Sequence, residues 1–188
     1  IINKILSNFG FSINKLKNKK ELSFDDIYKL KLNQFPIIFD IGANRGQSIE
    51  RFLKIFPNCT IHAFEPIKKE FLNLKEKFTT NKNIHINNVA LGDKIEDKKL
   101  NVMARSATSS FYDLNENTEW LKIRSKQYNT NTKDFKKNFE DVKVITLDHY
   151  CEDKRIEFID LIKIDVQGHE DKVLAGSKKI FSKDIVNA

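Results

Sequence analysis

Ile37-Ile38-Phe39-Asp40-Ile41-Gly42-Ala43-Asn44-Arg45-Gly46-Gln47-Ser48 is the stretch on which the fold turns. The apolar run Ile37 to Phe39, closed on its N-terminal side by Pro36, predicts a short buried strand. A glycine-containing turn follows. Ile49, Phe52, Leu53 and Phe56 then recur at helical spacing until Pro57 ends the run. Gly42 and Gly46 have no Cβ, so a ligand could lie against the backbone there. Asp40, at the carboxyl end of the strand, sets the chemistry, because a carboxylate would repel the pyrophosphate that such turns often hold. The spacing is Gly-x-x-x-Gly and departs from the dinucleotide fingerprint, which argues against NAD. A cationic ligand such as S-adenosylmethionine (SAM), with an ammonium and a sulfonium, suits the site better. By itself the motif is also what an ordinary strand-to-helix turn looks like.

Outward from this stretch the pattern repeats. Cys59 to Glu65 reads as a second strand ending on Glu65, and Pro66 stands in the first turn of a helix through Phe71, Leu74 and Phe78. Ile84 to Ala90 reads as a third strand. Strand–helix–strand–helix–strand is the grammar of a doubly wound, mostly parallel α/β sheet flanked by helices. Leu100 to Arg105 predicts an extra strand, and Val142 to Leu147 another. Phe158 to Asp165 predicts a strand that again ends on a carboxylate. A helix is expected over Gly168 to Ile180, and Ile185-Val186 starts a further strand. Residues 113–140 are polar and read as a mobile insert or lid with some helix around Trp120.

Upstream, Ile1, Ile2, Ile5, Leu6 and Phe9 predict a short amphipathic helix, which leaves peripheral membrane contact open. Lys15 to Lys20 is a basic linker. Ser23 and Asp26 form a capping-box pattern opening a helix to about Phe35. Residues 1–35 are thus a helical lead-in to a ligand-binding domain at 36–188.

The chain has 188 residues, the size of one domain. Its 33 Lys and Arg against 26 Asp and Glu give a net charge of +7, which would suit an anionic partner such as RNA. Lys, Asn and Ile are abundant throughout, however, and no aromatic-and-arginine motif interleaves with the lysines. Charge alone is therefore weak support for nucleic acid. Cys59 and Cys151 lack any ligand spacing, which fits a reduced cytoplasmic chain with both thiols structural. No apolar run reaches the roughly 18 residues of a membrane span, and nothing near Ile1 has the form of a signal peptide.

Ligands of open parallel sheets bind outside the carboxyl ends of the strands. Asp40, Glu65 and Asp165 all arrive at that edge, where three anions repel one another unless a cation or hydrogen-bond donors intervene. In the SAM reading, Glu65 accepts the ribose hydroxyls, Asp40 holds the methionine ammonium, and Gly42 to Gly46 lie against the methionyl chain. A divalent metal is the competing cation, but no further Asp/His pair stands at ligand spacing.

Phe39 to Ser48, Ala63-Phe64-Glu65-Pro66, Asn88 to Asp93, Ser109-Ser110-Phe111, Thr146-Leu147-Asp148 and Asp160 to Glu170 together resemble the FkbM family of SAM-dependent O-methyltransferases. The resemblance spans about residues 36 to 176. It implies a Rossmann-like class I methyltransferase fold and O-methylation of a hydroxyl on a small or saccharide acceptor. It implies cofactor contacts at Asp40, Gly42, Ala43, Asn44, Gly46, Glu65 and Pro66, with adenine near Asn88, Ala90 and Leu91. Ser109 and Ser110 are expected near cofactor or acceptor. Gln167 stands where the family often has Glu. The fold normally continues into a final antiparallel strand pair, so the end at Ala188 reads as truncation before it.

Abstracting a proton from a hydroxyl needs a base. Asp165, His169 and Glu170 are the candidates, with a helix N-terminus expected to keep His169 neutral. His62, His85 and His149 read as structural or surface groups. RNA methylation and a non-catalytic SAM-binding module are the alternative functions. No Gly-x-Ser-x-Gly elbow supports hydrolysis.

Overall fold

The computed structural model describes residues 22–103, 105–112, 118–127, 136–183 and 185–186. The chain forms two compact units, 1–31 and 32–188. The described part of the first holds helix α1 (Phe24–Lys31). Its start is a reciprocal capping box: Asp26 N–H donates to Ser23 Oγ at 3.2 Å, and Ser23 N–H donates to Asp26 Oδ2 at 3.0 Å. The expected continuation to Phe35 is absent. There, Phe35 N–H donates to the Asn33 side-chain oxygen at 2.6 Å, an Asx turn that competes with helix. The helix expected over residues 1–11 and the basic linker lie outside the described residues.

The second unit begins with β1 (Ile37–Ile41), α2 (Gln47–Ile55), β2 (Thr60–Phe64), α3 (Lys68–Lys77) and β3 (Ile84–Asn87). Next come β4 (Ala90–Leu91), β5 (Glu96–Met103), a 3-10 turn (Ser106–Thr108), α4 (Glu119–Gln127) and β6 (Lys136–Ile145). The chain then runs through α5 (Leu147–Lys154), β7 (Leu161–Ile164), α6 (Glu170–Ala175) and α7 (Lys178–Ser182). One sheet has the order β3-β2-β1-β7 with every pair parallel. The chain builds outward from β1 to β3, then returns to lay β7 on the other side of β1. That reversal opens a crevice at the carboxyl ends of β1 and β7.

Alternation sorts the strand residues. Phe39, Ile41 and Phe64 face a cluster with Leu147, Tyr150, Val173 and Ile180 from the later helices. Each such side chain, fully buried, contributes about 1.5–3 kcal/mol. His62 belongs to this packing: its Nδ1 lies 2.8 Å from Tyr150 Oη, and burial pushes its pKa down to about 4. His85 and His149 are exposed. Cys59 and Cys151 are buried free thiols, pushed up by burial to about 11 and about 12. On the opposite sheet face Asp40 stands level with Ala63 and Lys163.

Several boundaries differ from those expected. The third strand stops at Asn87, because Asn88 Nδ2 donates to the carbonyls of Glu65 and Pro66 and draws the chain out of the first sheet. Ala90-Leu91 then joins a second sheet of order β4-β6-β5. β5 starts at Glu96, well before Leu100, and pairs antiparallel with a ten-residue β6 that starts well before Val142. This ribbon is polar and its outer half is exposed at Asn138 and Phe139, so apolar alternation does not mark it. Leu147 begins a helix instead of ending a strand, since Thr146 Oγ1 caps it by accepting His149 N–H at 3.1 Å. Pro66 precedes α3, whose N-cap is Ile67.

β7 is shorter than expected because the Asp160 carboxylate is used as a tie, accepting Ile37 N–H and the Asn33 amide at 2.8 Å each. The single helix expected over 168–180 is two. Asp148 of α5 accepts Lys179 N–H and Ile180 N–H, which caps a fresh start for α7. Val186 bridges Ile159 in parallel, where a further strand was expected. Of segment 113–140, α4 and the start of β6 are described, and helix is present at position 120. Among the described residues no helix is long and apolar enough to cross a membrane.

Gly46 caps α2 in the left-handed region, with φ of 82°, and a Cβ there would crowd Phe78 and Leu74 at 2.8–2.9 Å. Gly46→Ala should cost about 1–2 kcal/mol, lowering the melting temperature by several degrees in a calorimetric scan.

Candidate active site

A cleft opens at the carboxyl edge of β1, β2 and β7. Ile41, Phe64, Ile67, Val89, Leu91 and Leu100 give it an apolar wall, and Asn44, Glu65, Ser106, Ser109, Asp165 and His169 supply polar groups.

The glycine turn is fixed from both sides. Gly42 N–H and Ala43 N–H both donate to the Phe64 carbonyl, at 3.1 and 3.0 Å. Gly42 has φ of 82°, and a Cβ would collide with the Asp165 carbonyl oxygen. Only glycine lets β1 and β7 come this close. Gly42 and Asn44 line the cleft, whereas Ala43 is buried behind it and Gly46 faces α3.

Glu65 joins the turn to the next helix. Its Oε2 accepts Asn44 N–H and its Oε1 accepts Ile67 N–H, each at 2.8 Å. Each oxygen keeps a lone pair for a further donor. The residue is 3% exposed, and burial raises its pKa to about 7 against the opposing pull of those two N–H groups. The protonated form is therefore retained by the folded state between the ordinary value of 4.5 and about 7. Stability from this group is fully present below 4.5 and is lost as pH rises through 7. Urea unfolding should show wild type losing on the order of 3 kcal/mol relative to Glu65→Gln between pH 4.5 and 8.

Asp40 is placed differently from the expectation. It is fully buried and does not line the cleft. Lys163 Nζ lies 3.0 Å from Asp40 Oδ1 and donates to the Gly42 carbonyl at 3.0 Å. The Asp40 contact is an ion pair by distance only, since neither carboxylate oxygen accepts an aligned hydrogen bond among the described residues. Burial raises the Asp40 pKa, and Lys163 opposes that rise. The cation that answers Asp40 is thus the protein's own. Lys163 also stands 4.0 Å from Asp165, whose side chain is 58% exposed in the cleft and accepts from Gln167 Nε2 at 2.7 Å.

Among the candidate bases, Glu170 lies away from the cleft lining. Its carboxylate accepts Val166 N–H at 3.0 Å and Gly168 N–H at 2.9 Å. Burial raises its pKa, but the backbone donors together outweigh it and hold the carboxyl below the ordinary value. It fastens the turn after β7. His169 lines the cleft, 3% exposed, with ring centroids 4.7 Å from Phe111 and 5.9 Å from Tyr112. Its Nδ1 has no hydrogen-bond partner among the described residues. Burial, then the Lys98 ammonium, pushes its pKa down and keeps the ring neutral.

The other expected residues divide. Pro66, Ala90 and Ser109 line the cleft. Asn88 instead holds the Glu65–Pro66 backbone, and Ser110 Oγ donates to the Gln167 carbonyl at 2.8 Å. Sequence reasoning gave no site role to Lys163, Ser106 or Phe111, although Lys163 and Phe111 stand in the stretches that carry the resemblance. Ser106 Oγ accepts from the Asn44 amide at 3.1 Å. A lysine within the apolar run Ile162–Ile164 was the available signal for Lys163.

Residues 40–188 match the family described as the methyltransferase FkbM domain. The chain is 28% identical to the 2-O-methyltransferase NoeI of Sinorhizobium fredii over 148 residues, 79% of this chain. It spans 60% of the length of that relative. The crystal structure of a methyltransferase FkbM from Methylobacillus flagellatus superposes with a TM-score of 0.54 at 15% identity, covering 85% of this chain and 33% of that one. That likeness is one of fold.

Proposed function

Because the chain belongs to the FkbM methyltransferase family, we propose that the cleft binds SAM and that the protein methylates a hydroxyl of a small or saccharide acceptor. The observation that carries this reading is Glu65, pinned between Asn44 N–H and Ile67 N–H with lone pairs left over beside an apolar wall. Those lone pairs suit the two ribose hydroxyls, and Phe64, Ile67, Val89 and Leu91 suit a purine ring. Asp165 is the carboxylate exposed to the cleft and suits the ligand's positive charge, the part first assigned to Asp40. When bound, SAM supplies an electrophilic methyl group on a sulfonium. His169, buried and held neutral, with no hydrogen-bond partner on Nδ1 among the described residues, suits the role of the base that takes the acceptor's proton. The name of NoeI supports a hydroxyl acceptor. Two buried reduced thiols fit a cytoplasmic setting.

Titration calorimetry with SAM tests the reading, followed by transfer of radiolabelled methyl to a panel of glycans. Ribose donors favour ionised Glu65, so binding near pH 6 should release a proton, seen as a dependence of the heat on buffer ionisation enthalpy. Affinity should weaken by up to tenfold per unit as pH falls below about 7. No binding of SAM, or no methyl transfer to any hydroxyl, would contradict the proposal.

A further inference from the structure

Lys98 is a half-buried cation beside the cleft that makes no ion pair among the described residues. It stands two residues before Leu100 on β5, and so on the face from which Leu100 lines the cleft. Its Nζ lies 4.7 Å from the centroid of the Phe111 ring, which in turn packs 4.7 Å from His169. The carboxylates nearest in the chain and across the ribbon have other partners: Lys94 holds Glu96 at 2.9 Å, Lys172 holds Asp93 at 3.2 Å, and Glu140, opposite Leu100, accepts Lys68 N–H at 2.8 Å. Among the described residues, a buried imidazole nitrogen without a hydrogen-bond partner and an ammonium without an ion pair therefore both lie against one aromatic ring. We infer that the acceptor is an anionic saccharide, whose carboxylate or phosphate pairs with Lys98 while a nearby hydroxyl meets His169. The inference rests on the methyltransferase reading above and narrows its substrate class.

The chemistry favours an anion over a neutral sugar for two reasons. A charge-assisted contact with Lys98 is roughly twice as strong as a neutral hydrogen bond. It also acts on His169. The groups felt by the imidazole are Lys98 and Lys172, which disfavour its protonation, and Asp171 and Asp93, which favour it. An acceptor anion on Lys98 would offset the larger of the two cationic effects, so the correct substrate makes His169 a better proton acceptor.

The test uses the full chain saturated with S-adenosylhomocysteine, its binding measured first. D-glucuronate, D-glucose 6-phosphate and D-glucose are then titrated while the histidine ring resonances are followed by NMR. At least one anionic sugar should bind tenfold or more tightly than glucose and shift the His169 signal; which one responds separates carboxylate from phosphate. Lys98→Met keeps the apolar stem on Phe111 and should erase the discrimination with the melting temperature unchanged. Equal binding of all three sugars, no binding of either anion, or discrimination surviving in Lys98→Met would overturn the inference. If the nucleoside binds and neutral glycans are methylated as well as anionic ones, only this inference falls. If the nucleoside does not bind, the methyltransferase reading falls with it.

Discussion

Lys163→Met should destabilise the protein by about 3–5 kcal/mol, the cost typical of stripping one partner from a buried ion pair. Asp40 has no exposed surface, and Lys163 is the group that lies against its carboxylate. The substitution also removes the donor to the Gly42 carbonyl, loosening the turn at the mouth of the cleft. Protonation is the escape open to Asp40, whose pKa burial already raises. A raised acid contributes stability that is present below its ordinary value of 3.8 and lost as pH rises. The damage should therefore be worst at neutral and alkaline pH and shrink on acidification. Asp40→Asn combined with Lys163→Met leaves no buried charge at this pair and should recover most of the loss. Urea unfolding at pH 5 and 8 reads all of this. A cost below about 1 kcal/mol at both pH values would mean the pair is not holding β1 to β7.

His169→Gln should lower turnover by about 10²–10⁴-fold, the usual contribution of a positioned general base, while the dissociation constant for the donor stays within about twofold. Glutamine fills similar space beside Phe111 and Tyr112 but takes up no proton in the working pH range. In wild type the acid limb of the rate profile should lie below the ordinary imidazole value of 6.5, because burial and Lys98 both disfavour the charged ring. Glu170→Gln is the contrasting variant. Its carboxylate fastens the Val166 and Gly168 amides, so the effect should fall on melting temperature rather than on the pH profile. Turnover of His169→Gln within threefold of wild type would remove His169 from the chemistry.

The sequence carried much of this arrangement, for identifiable physical reasons. Apolar strands ending on Asp40, Glu65 and Asp165 are local patterns, and parallel pairing necessarily brings such ends to one edge. Which carboxylate faces the ligand is a matter of register. Asp40 lies directly opposite Lys163, a pairing across 123 positions of chain that no local pattern reveals. Glu170 sits where a base could stand, but only the left-handed turn at Gln167 and Gly168 shows its oxygens occupied by backbone amides. The β5–β6 ribbon was obscure because its stretches Glu96–Lys99 and Lys136–Asn138 are polar, leaving no alternation to read there. The split between α6 and α7 depends on Asp148, a cap supplied from another helix.

The most direct measurement is a crystal structure of the full chain soaked with S-adenosylhomocysteine. The account predicts ribose hydroxyls on the free lone pairs of Glu65, the purine against Phe64 and Val89, and the amino group near Asp165, with the Asp40–Lys163 pair undisturbed. A nucleoside bound elsewhere, or one whose ribose makes no contact with Glu65, would contradict it.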